Sequence, residues 1–211
     1  MILIVSGGEQ PSSGFLRECA QRADRVIAAD KGAQYCLDAG IRPDLVVGDM
    51  DSISKQALER LEVQEGERIF FSKDKDMTDT SIALDEAAKM DAGRVEIIAG
   101  LGGRFDHTLA NVHLLLRALR CGMDAIILSE DQEIFIVDDK CSLENKKGAI
   151  ISFLPLTSEV SGIDLEGFSY GLDHAFMEIG DPYGVSNLVD SDHARIEIEK
   201  GVLLAILVRN I

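Results

Sequence analysis

Over its first 130 residues the chain alternates short apolar runs with longer amphipathic segments, and each run stops at a polar or glycine-rich turn. The runs are ILIV at 2–5, RVIAA at 25–29, LVVG at 45–48, RIFF at 68–71, RVEIIA at 94–99 and DAIIL at 124–128. The segments between them, 12–22, 32–39, 54–61, 79–91 and 107–121, have helical character. In the last, Leu109, Val112, Leu115, Leu116 and Leu119 mark one face. A strand that is apolar at nearly every position has to be covered on both sides. Alternating helices supply that cover, which predicts an α/β domain over 1–130 with a largely parallel sheet flanked by helices.

Beyond about residue 131 the rhythm changes. EIFIVD, GAIISFL, ARIEIE and VLLAILV are strand-like and are separated by turns instead of helices. HARIEIEKGVLLAILVRN reads as a hairpin turning through Glu199, Lys200 and Gly201. Residues 131–211 are therefore expected to form a small all-β domain, with the boundary near 131–147.

The bulk properties narrow the function. The 211 residues allow one large domain or two modest ones, and an apolar content of 46% indicates a folded chain. A formal net charge of -16 argues against a nucleic-acid partner, since a phosphate backbone needs a basic surface. It leaves room for a nucleotide if a divalent cation bridges phosphate and carboxylates. Cys19, Cys36, Cys121 and Cys141 form no CxxC pair or zinc spacing, and three of them fall in or beside helical segments as small buried residues. No basic-then-apolar leader and no bilayer-length apolar stretch is present, so the expectation is a cytoplasmic protein without a membrane partner.

In an open parallel sheet, ligands bind beyond the carboxyl ends of the strands. The chemically capable residues of this chain recur at those ends. Gly7 and Gly8 follow the first run and Asp30 the second. Asp49 and Asp51 follow the third, Asp74, Asp76 and Asp79 the fourth, and Gly100 to Asp106 the fifth. In PDLVVGDMDS (43–52), Asp49 and Asp51 are two apart, so in extended backbone their carboxylates point the same way and repel. A hard cation such as magnesium removes that cost. An isolated DxD is more often a solvated turn, and Ser52 can simply cap a following helix. In SKDKDMTDTSIALDEA (72–87), Thr78 suits a helix cap and Asp79 the first turn. Lys73 and Lys75 are either local positive charge for phosphate or ordinary surface lysines.

GLGGRFDHTLAN (100–111) carries the most chemistry. Gly100, Gly102 and Gly103 let the backbone lie against a ligand and present N–H groups to phosphate oxygens. Arg104 can grip phosphate with both arms of its guanidinium. Three roles are open to Asp106: cation ligand, orienting group for an attacking hydroxyl, or helix N-cap. The run is neither a Walker motif, lacking GK[ST], nor a GxGxxG fingerprint. His107 is read as a neutral structural histidine, with Asn111 one turn on in the same network. Ser186 and Asn187 end the loop GDPYGVSN (180–187), which by itself is only a turn.

Together, DKGA (30–33), PDLVVGDMDS, KDKDMTDTSIAL (73–84) and GLGGRFDHTLAN resemble the thiamin pyrophosphokinase family, with weaker likeness through GVSNLV (184–189) and GVLLAIL (201–207). The resemblance implies transfer of an intact diphosphate from ATP to the hydroxyl of thiamin, giving thiamin diphosphate and AMP. It implies an N-terminal α/β catalytic domain binding nucleotide and magnesium, and a C-terminal β-sandwich contributing to thiamin binding and dimerisation. Family members are homodimers whose substrate sites lie where domains and subunits meet. By that pattern Asp49, Asp51 and Asp79 correspond to the magnesium-binding acids, and Asp30, Arg104 and Asp106 fall in the nucleotide and catalytic region. Ser186 and Asn187 match a serine–asparagine pair near the vitamin. Two departures stand out. The family usually has an acidic residue where this chain has Ser81, and some relatives stack a tryptophan on thiamin whereas this chain has none, leaving Tyr170, Phe176 or Tyr183. The competing readings are a related nucleotide-dependent small-molecule kinase or hydrolase, and a non-catalytic sensor of nucleotide or thiamin diphosphate.

The pairing of Asp51 with Asp49 generates the first prediction. Asp51→Asn is expected to lower turnover at least ~100-fold with the fold intact, the size of losing an electrostatic term of ~3 kcal/mol. Steady-state kinetics across a magnesium titration check it, and turnover and magnesium dependence near wild type would reject the role.

Overall fold

A computed structural model of the chain describes residues 1–49, 53–54, 56, 59, 67–70 as backbone, and 77–209. It divides into two compact units, Met1–Glu130 and Asp131–Ile211. The first unit holds strands β1 (Ile2–Val5), β2 (Arg25–Ala29), β3 (Leu45–Gly48), β4 (Glu67–Phe70), β5 (Arg94–Ile98) and β6 (Asp124–Leu128). Its described helices are α1 (Ser13–Arg22), α2 (Gly32–Asp38), α3 (Asp79–Lys89) and α4 (Phe105–Arg120). The helical segment expected at 54–61 lies largely outside the described residues.

The strands lie in the order β6-β5-β1-β2-β3-β4, and every pairing is parallel. The apolar runs explain this arrangement. Leu3, Val5, Val26 and Ala28 face one side and join Leu16 and Cys19 of α1 and Ala33 and Cys36 of α2 in one core. Ile4, Ile27 and Ile97, at the alternate positions, are also fully buried, so the sheet is covered on both faces as its composition requires. Ser12 caps α1 by accepting from the Phe15 amide at 3.2 Å, and Thr78 caps α3 by accepting from the Ser81 amide at 3.2 Å. Arg117 of α4 grips Asp85 of α3 through two bonds of 2.9 and 2.8 Å.

Two local expectations change. Helix α4 starts at Phe105, and Leu109, expected on the apolar face, is exposed, while Asn111 and Leu114 are buried. The buried amide of Asn111 donates to the Gly100 carbonyl at 2.8 Å, which turns that side of the helix inward. Of the cysteines, Cys19 and Cys36 are buried as expected, and burial pushes the Cys36 thiol up to about 12. Cys121, at the end of α4, is exposed.

The second unit comprises β7 (Gln132–Val137), β8 (Lys140–Glu144), β9 (Ile150–Pro155), β10 (Glu159–Glu166), β11 (Leu172–Glu178), β12 (Asn187–Leu188), β13 (His193–Glu197) and β14 (Leu203–Val208). These form two antiparallel layers, β12-β9-β14-β7 and β11-β10-β13-β8, around one apolar core. The hairpin expected through Glu199–Gly201 is not formed. β13 pairs with β10 and β8, whereas β14 pairs with β7 and β9. Both strands carry inward apolar residues, Ile196 on one and Leu203, Ala205 and Leu207 on the other. Facing each other across the core buries both sets, so the link changes sheets, with Glu199 and Lys200 donating to the Ser161 carbonyl at 3.0 and 3.2 Å.

Phe153 of β9 is fully buried and meets Phe168 edge-on, with ring centroids 5.5 Å apart at 83°. Phe153→Ala is expected to destabilise the chain by about 3–5 kcal/mol. Urea unfolding measures this, and a loss below about 1 kcal/mol would contradict the core described.

Candidate active site at the strand ends

Because all strands of the first unit run the same way, their carboxyl ends open on one side, and a cleft of about 690 Å³ lies there. The loop after β1 and the loop after β5 form one wall. Their backbones continue the pairing of the strands: Ser6 N–H donates to Ile98 O at 2.9 Å, Gly8 to Ala99 O at 2.8 Å and Glu9 to Leu101 O at 2.8 Å. Ala99 takes a left-handed φ of 53°, which bends the chain from β5 into the glycine loop. Gly102, at φ 80°, lies against Glu9: a Cβ there would stand 2.6 Å from the Glu9 Cβ. The loop thus needs glycine at 102 on two counts.

The second wall comes from β2 and α3. Asp30 follows β2 at φ 50°, a conformation aspartate tolerates better than most residues, and its N–H donates to Val47 O at 2.8 Å. Asp79 opens α3 beside it. Gly48, at φ 141°, separates them, and the position of a Cβ on it lies 3.3 Å both from the Asp79 Oδ1 atom and from the Asp30 Cα. The hydroxyls of Ser6 and Thr80 pair at 2.9 Å in a buried position, tying the start of α3 to the end of β1.

The predicted residues divide as follows. Asp30, Asp79, Gly102, Gly103 and Arg104 line the cleft. Asp49 follows Gly48 at the end of β3, half-buried, and Asp106 is exposed in the first turn of α4; neither lines the cleft. Asp51 and Lys73 lie outside the described residues. Among the described residues no group of three His, Cys, Asp or Glu side chains is gathered to hold a metal ion. Carboxylate oxygens such as those of Asp49 and Asp79 suit a hard divalent cation that keeps waters, and Asp79 Oδ1 lies 3.3 Å from where a Cβ on Gly48, the residue before Asp49, would stand.

Arg104 binds Asp106 with both arms, Nε to Oδ1 at 3.1 Å and a terminal nitrogen to Oδ2 at 2.5 Å. Asp106 is therefore a partner of Arg104 rather than the cap of α4, whose N-cap position is Arg104 itself. The hydrogen bond from Arg104 holds the Asp106 carboxyl below the usual carboxylate range, so the pair stands at neutral pH and is lost only as pH falls through that lowered value.

In the second unit Ser186 has φ 62° and is exposed, with its N–H donating to the Ser152 hydroxyl at 3.1 Å. Asn187 is buried. Its side-chain oxygen accepts from the Tyr170 and Leu188 amides at 3.0 and 2.8 Å, and its nitrogen donates to Tyr170 O at 2.8 Å. A small cavity of about 60 Å³ lies here, with Tyr170 and Tyr183 in its lining.

Sequence reasoning assigned no role to Ser6, Glu9, Gln10, Lys31, Tyr35 and Thr80, which also line the cleft. A usable signal was present for Lys31 and Tyr35. Lys31 and Tyr35 are four apart where β2 turns into α2, the spacing that puts two side chains on one helical face.

Comparison with known proteins bears on the whole chain. The family described as thiamin pyrophosphokinase, catalytic domain, matches residues 16–127, and thiamin pyrophosphokinase, vitamin B1 binding domain, matches residues 140–203. Thiamine pyrophosphokinase of Bacillus subtilis (strain 168) is 30% identical over 209 residues, 97% of each chain. Thiamine pyrophosphokinase 1 of Oryza sativa subsp. japonica is 28% identical over 90% of this chain and 81% of its own. Among solved structures, thiamine pyrophosphokinase from Bacillus subtilis superposes with a TM-score of 0.90 at 27% identity, covering 100% of this chain and 99% of its own. Thiamin pyrophosphokinase from Geobacillus thermodenitrificans gives 0.86 at 25% identity, covering 100% and 98%.

The two glycines of the loop separate strain from packing. Gly103, at φ 68°, has open space where its Cβ would go, so Gly103→Ala is expected to cost about 1 kcal/mol from the left-handed backbone alone. Gly102→Ala is expected to cost clearly more, because Glu9 must move as well. Chemical denaturation of both variants checks the order, and equal losses would show that Glu9 does not pack on the loop.

Proposed function

The chain belongs to the thiamin pyrophosphokinase family, and from that premise we propose that the strand-end cleft is its nucleotide site and the seat of the chemistry. The chain catalyses the ATP-dependent conversion of thiamin to thiamin diphosphate. If the diphosphate moves as one unit, the other product is AMP. When the oxygen of the thiamin hydroxyl bonds to the β-phosphorus of ATP, the bond from that phosphorus to the α–β bridging oxygen breaks, AMP leaves with that oxygen, and the hydroxyl proton passes to solvent.

The observation that carries the reading is the convergence of Gly102, Gly103, Arg104, Asp30 and Asp79 on one cleft. Backbone amides of the glycine loop and the Arg104 fork suit the polyphosphate. Charge grows on the bridging and non-bridging oxygens as the β-phosphorus is attacked, and these fixed donors stabilise it. The proposed magnesium ligands are Asp49, Asp51 and Asp79, with Lys73 adding positive charge from the segment after β4. When bound, the ion would neutralise phosphate charge and clamp the reacting groups. Loose phosphoryl-type transfer needs positioning more than a strong base. Asp106 is a weak base, since Arg104 holds it ionised, and its proposed part is to aim the Arg104 fork until phosphate competes for it.

For the second unit we propose a share in thiamin binding and in dimerisation, with Ser186 and Asn187 near the vitamin. The clamp of Asn187 on the Tyr170 backbone supports a role exercised through Tyr170, a residue 72% exposed and so available to a flat heteroaromatic ligand.

Incubation with ATP, magnesium and thiamin is expected to yield AMP and thiamin diphosphate in equal amounts, resolved by chromatography. ADP in place of AMP would point to the alternative kinase or hydrolase, and no turnover with retained binding to a sensor. Arg104→Ala is expected to lower kcat/KM for ATP by about tenfold to a hundredfold, the loss of a two-armed ionic contact. Unchanged kinetics would remove Arg104 from the site.

A further inference from the structure

We propose that Lys31 contacts the polyphosphate of the bound nucleotide, and that Tyr35 is the positioning residue that aims it. The inference rests on reading the cleft as the nucleotide site. Arg104 and Lys31 are the arginine and lysine that line the cleft among the described residues. Carboxylates of Glu9, Asp30 and Asp79 line it too, in a chain whose net charge is -16. A polyphosphate entering such a cleft needs fixed positive charge, and in the structure described the Arg104 fork is already turned onto Asp106.

Lys31 is held in a way an ordinary surface lysine is not. Its Cβ lies 3.3 Å from where a Cβ on Gly7 would stand, and Asp30 Oδ2 is 3.7 Å from the same point. A side chain at residue 7 would crowd it. Its Nζ sits 5.5 Å from the centroid of the Tyr35 ring, within the range of a cation–π contact. Tyr35 is itself 3% exposed, and its hydroxyl donates to Gly8 O at 2.8 Å. Gly8 in turn donates to Ala99 O at 2.8 Å, at the entrance to the glycine loop. The ammonium is thus referenced through Tyr35 to the same loop whose amides face the phosphates. Restricting a four-carbon stem beforehand reduces the entropy lost when a ligand fixes it. The second substrate, thiamin, is a cation, so an ammonium here favours the nucleotide and not the vitamin.

The test is equilibrium binding of magnesium with a non-hydrolysable ATP analogue, by calorimetry at low ionic strength, beside steady-state kinetics. Lys31→Gln is expected to weaken nucleotide binding at least about tenfold, to raise KM for ATP and to leave KM for thiamin unchanged. Lys31→Arg is expected to restore most of the affinity. Tyr35→Phe keeps the ring but frees it from Gly8. It is expected to weaken nucleotide binding in the wild-type background and to add nothing in the Lys31→Gln background, a non-additivity that a merely structural tyrosine would not produce. Wild-type affinity in Lys31→Gln overturns the proposal, and additive losses overturn the part given to Tyr35. If the wild-type chain binds the analogue but makes no thiamin diphosphate, the activity assigned above fails while the comparison of affinities still decides on Lys31. If it binds no nucleotide, both fall.

Discussion

Parallel pairing of the strands is the constraint on which the candidate site depends. Side-chain periodicity alone would let these apolar runs form many sheets. Only a parallel arrangement obliges each chain segment to leave the sheet at the same edge and return by a helix. Residues as far apart as Gly7, Asp30, Asp79 and Arg104 then line one cleft without any having been drawn there by contact with the others. The pairing also outlasts the strands. The amides of Gly8 and Glu9 continue the ladder onto Ala99 and Leu101, so the two loops that form one wall are joined by backbone bonds as well as by the packing of Glu9 on Gly102.

An acidic chain that handles ATP faces an electrostatic problem, and the proposed site offers an answer to it. In the site proposed above, Asp49, Asp51 and Asp79 would turn that charge from a liability into a ligand set for a divalent ion. The Arg104–Asp106 pair holds the guanidinium in one rotamer, and in the proposed site an incoming phosphate would have to displace a carboxylate. Both groups are largely exposed, so water screens the pair and the exchange is cheap. A similar pair in the interior would bind Arg104 too firmly to serve an incoming substrate.

Much of the fold was legible because burial on two faces leaves a plain mark, the unbroken apolar run. ILIV, RVIAA and LVVG are strands at the residues expected. The false hairpin at Glu199–Gly201 shows the limit. Alternation reports that Ile196 and Ile198 face a core, and it is silent on whether the next strand lies beside them or opposite. Leu109 fails for a related reason. Helical period sees five leucine-like positions, but not that the Asn111 amide will be drawn inward by the Gly100 carbonyl. In the site, glycine and aspartate were visible because turn and strand-end chemistry favours them on any reading, whereas Lys31 and Tyr35 look like an ordinary helix start until the ring, the hydroxyl and Gly8 are seen together.

The two units solve the placing of a functional group in different ways, and the difference follows from their sheets. In the first unit the strand ends are already gathered, and backbone pairing suffices. The second unit is antiparallel, its loops emerge at both ends, and no edge collects them. There a side chain takes over the work of the backbone. The Asn187 amide, accepting from Tyr170 N and donating to Tyr170 O, reproduces the pair of bonds that a neighbouring strand would make. Asn187 is buried where this happens and Tyr170 is exposed, so the clamp fixes the backbone of a residue whose side chain stays open to solvent. Only a side chain with donor and acceptor on one planar group can do this, which glutamine would do from one carbon further out and aspartate not at all while ionised.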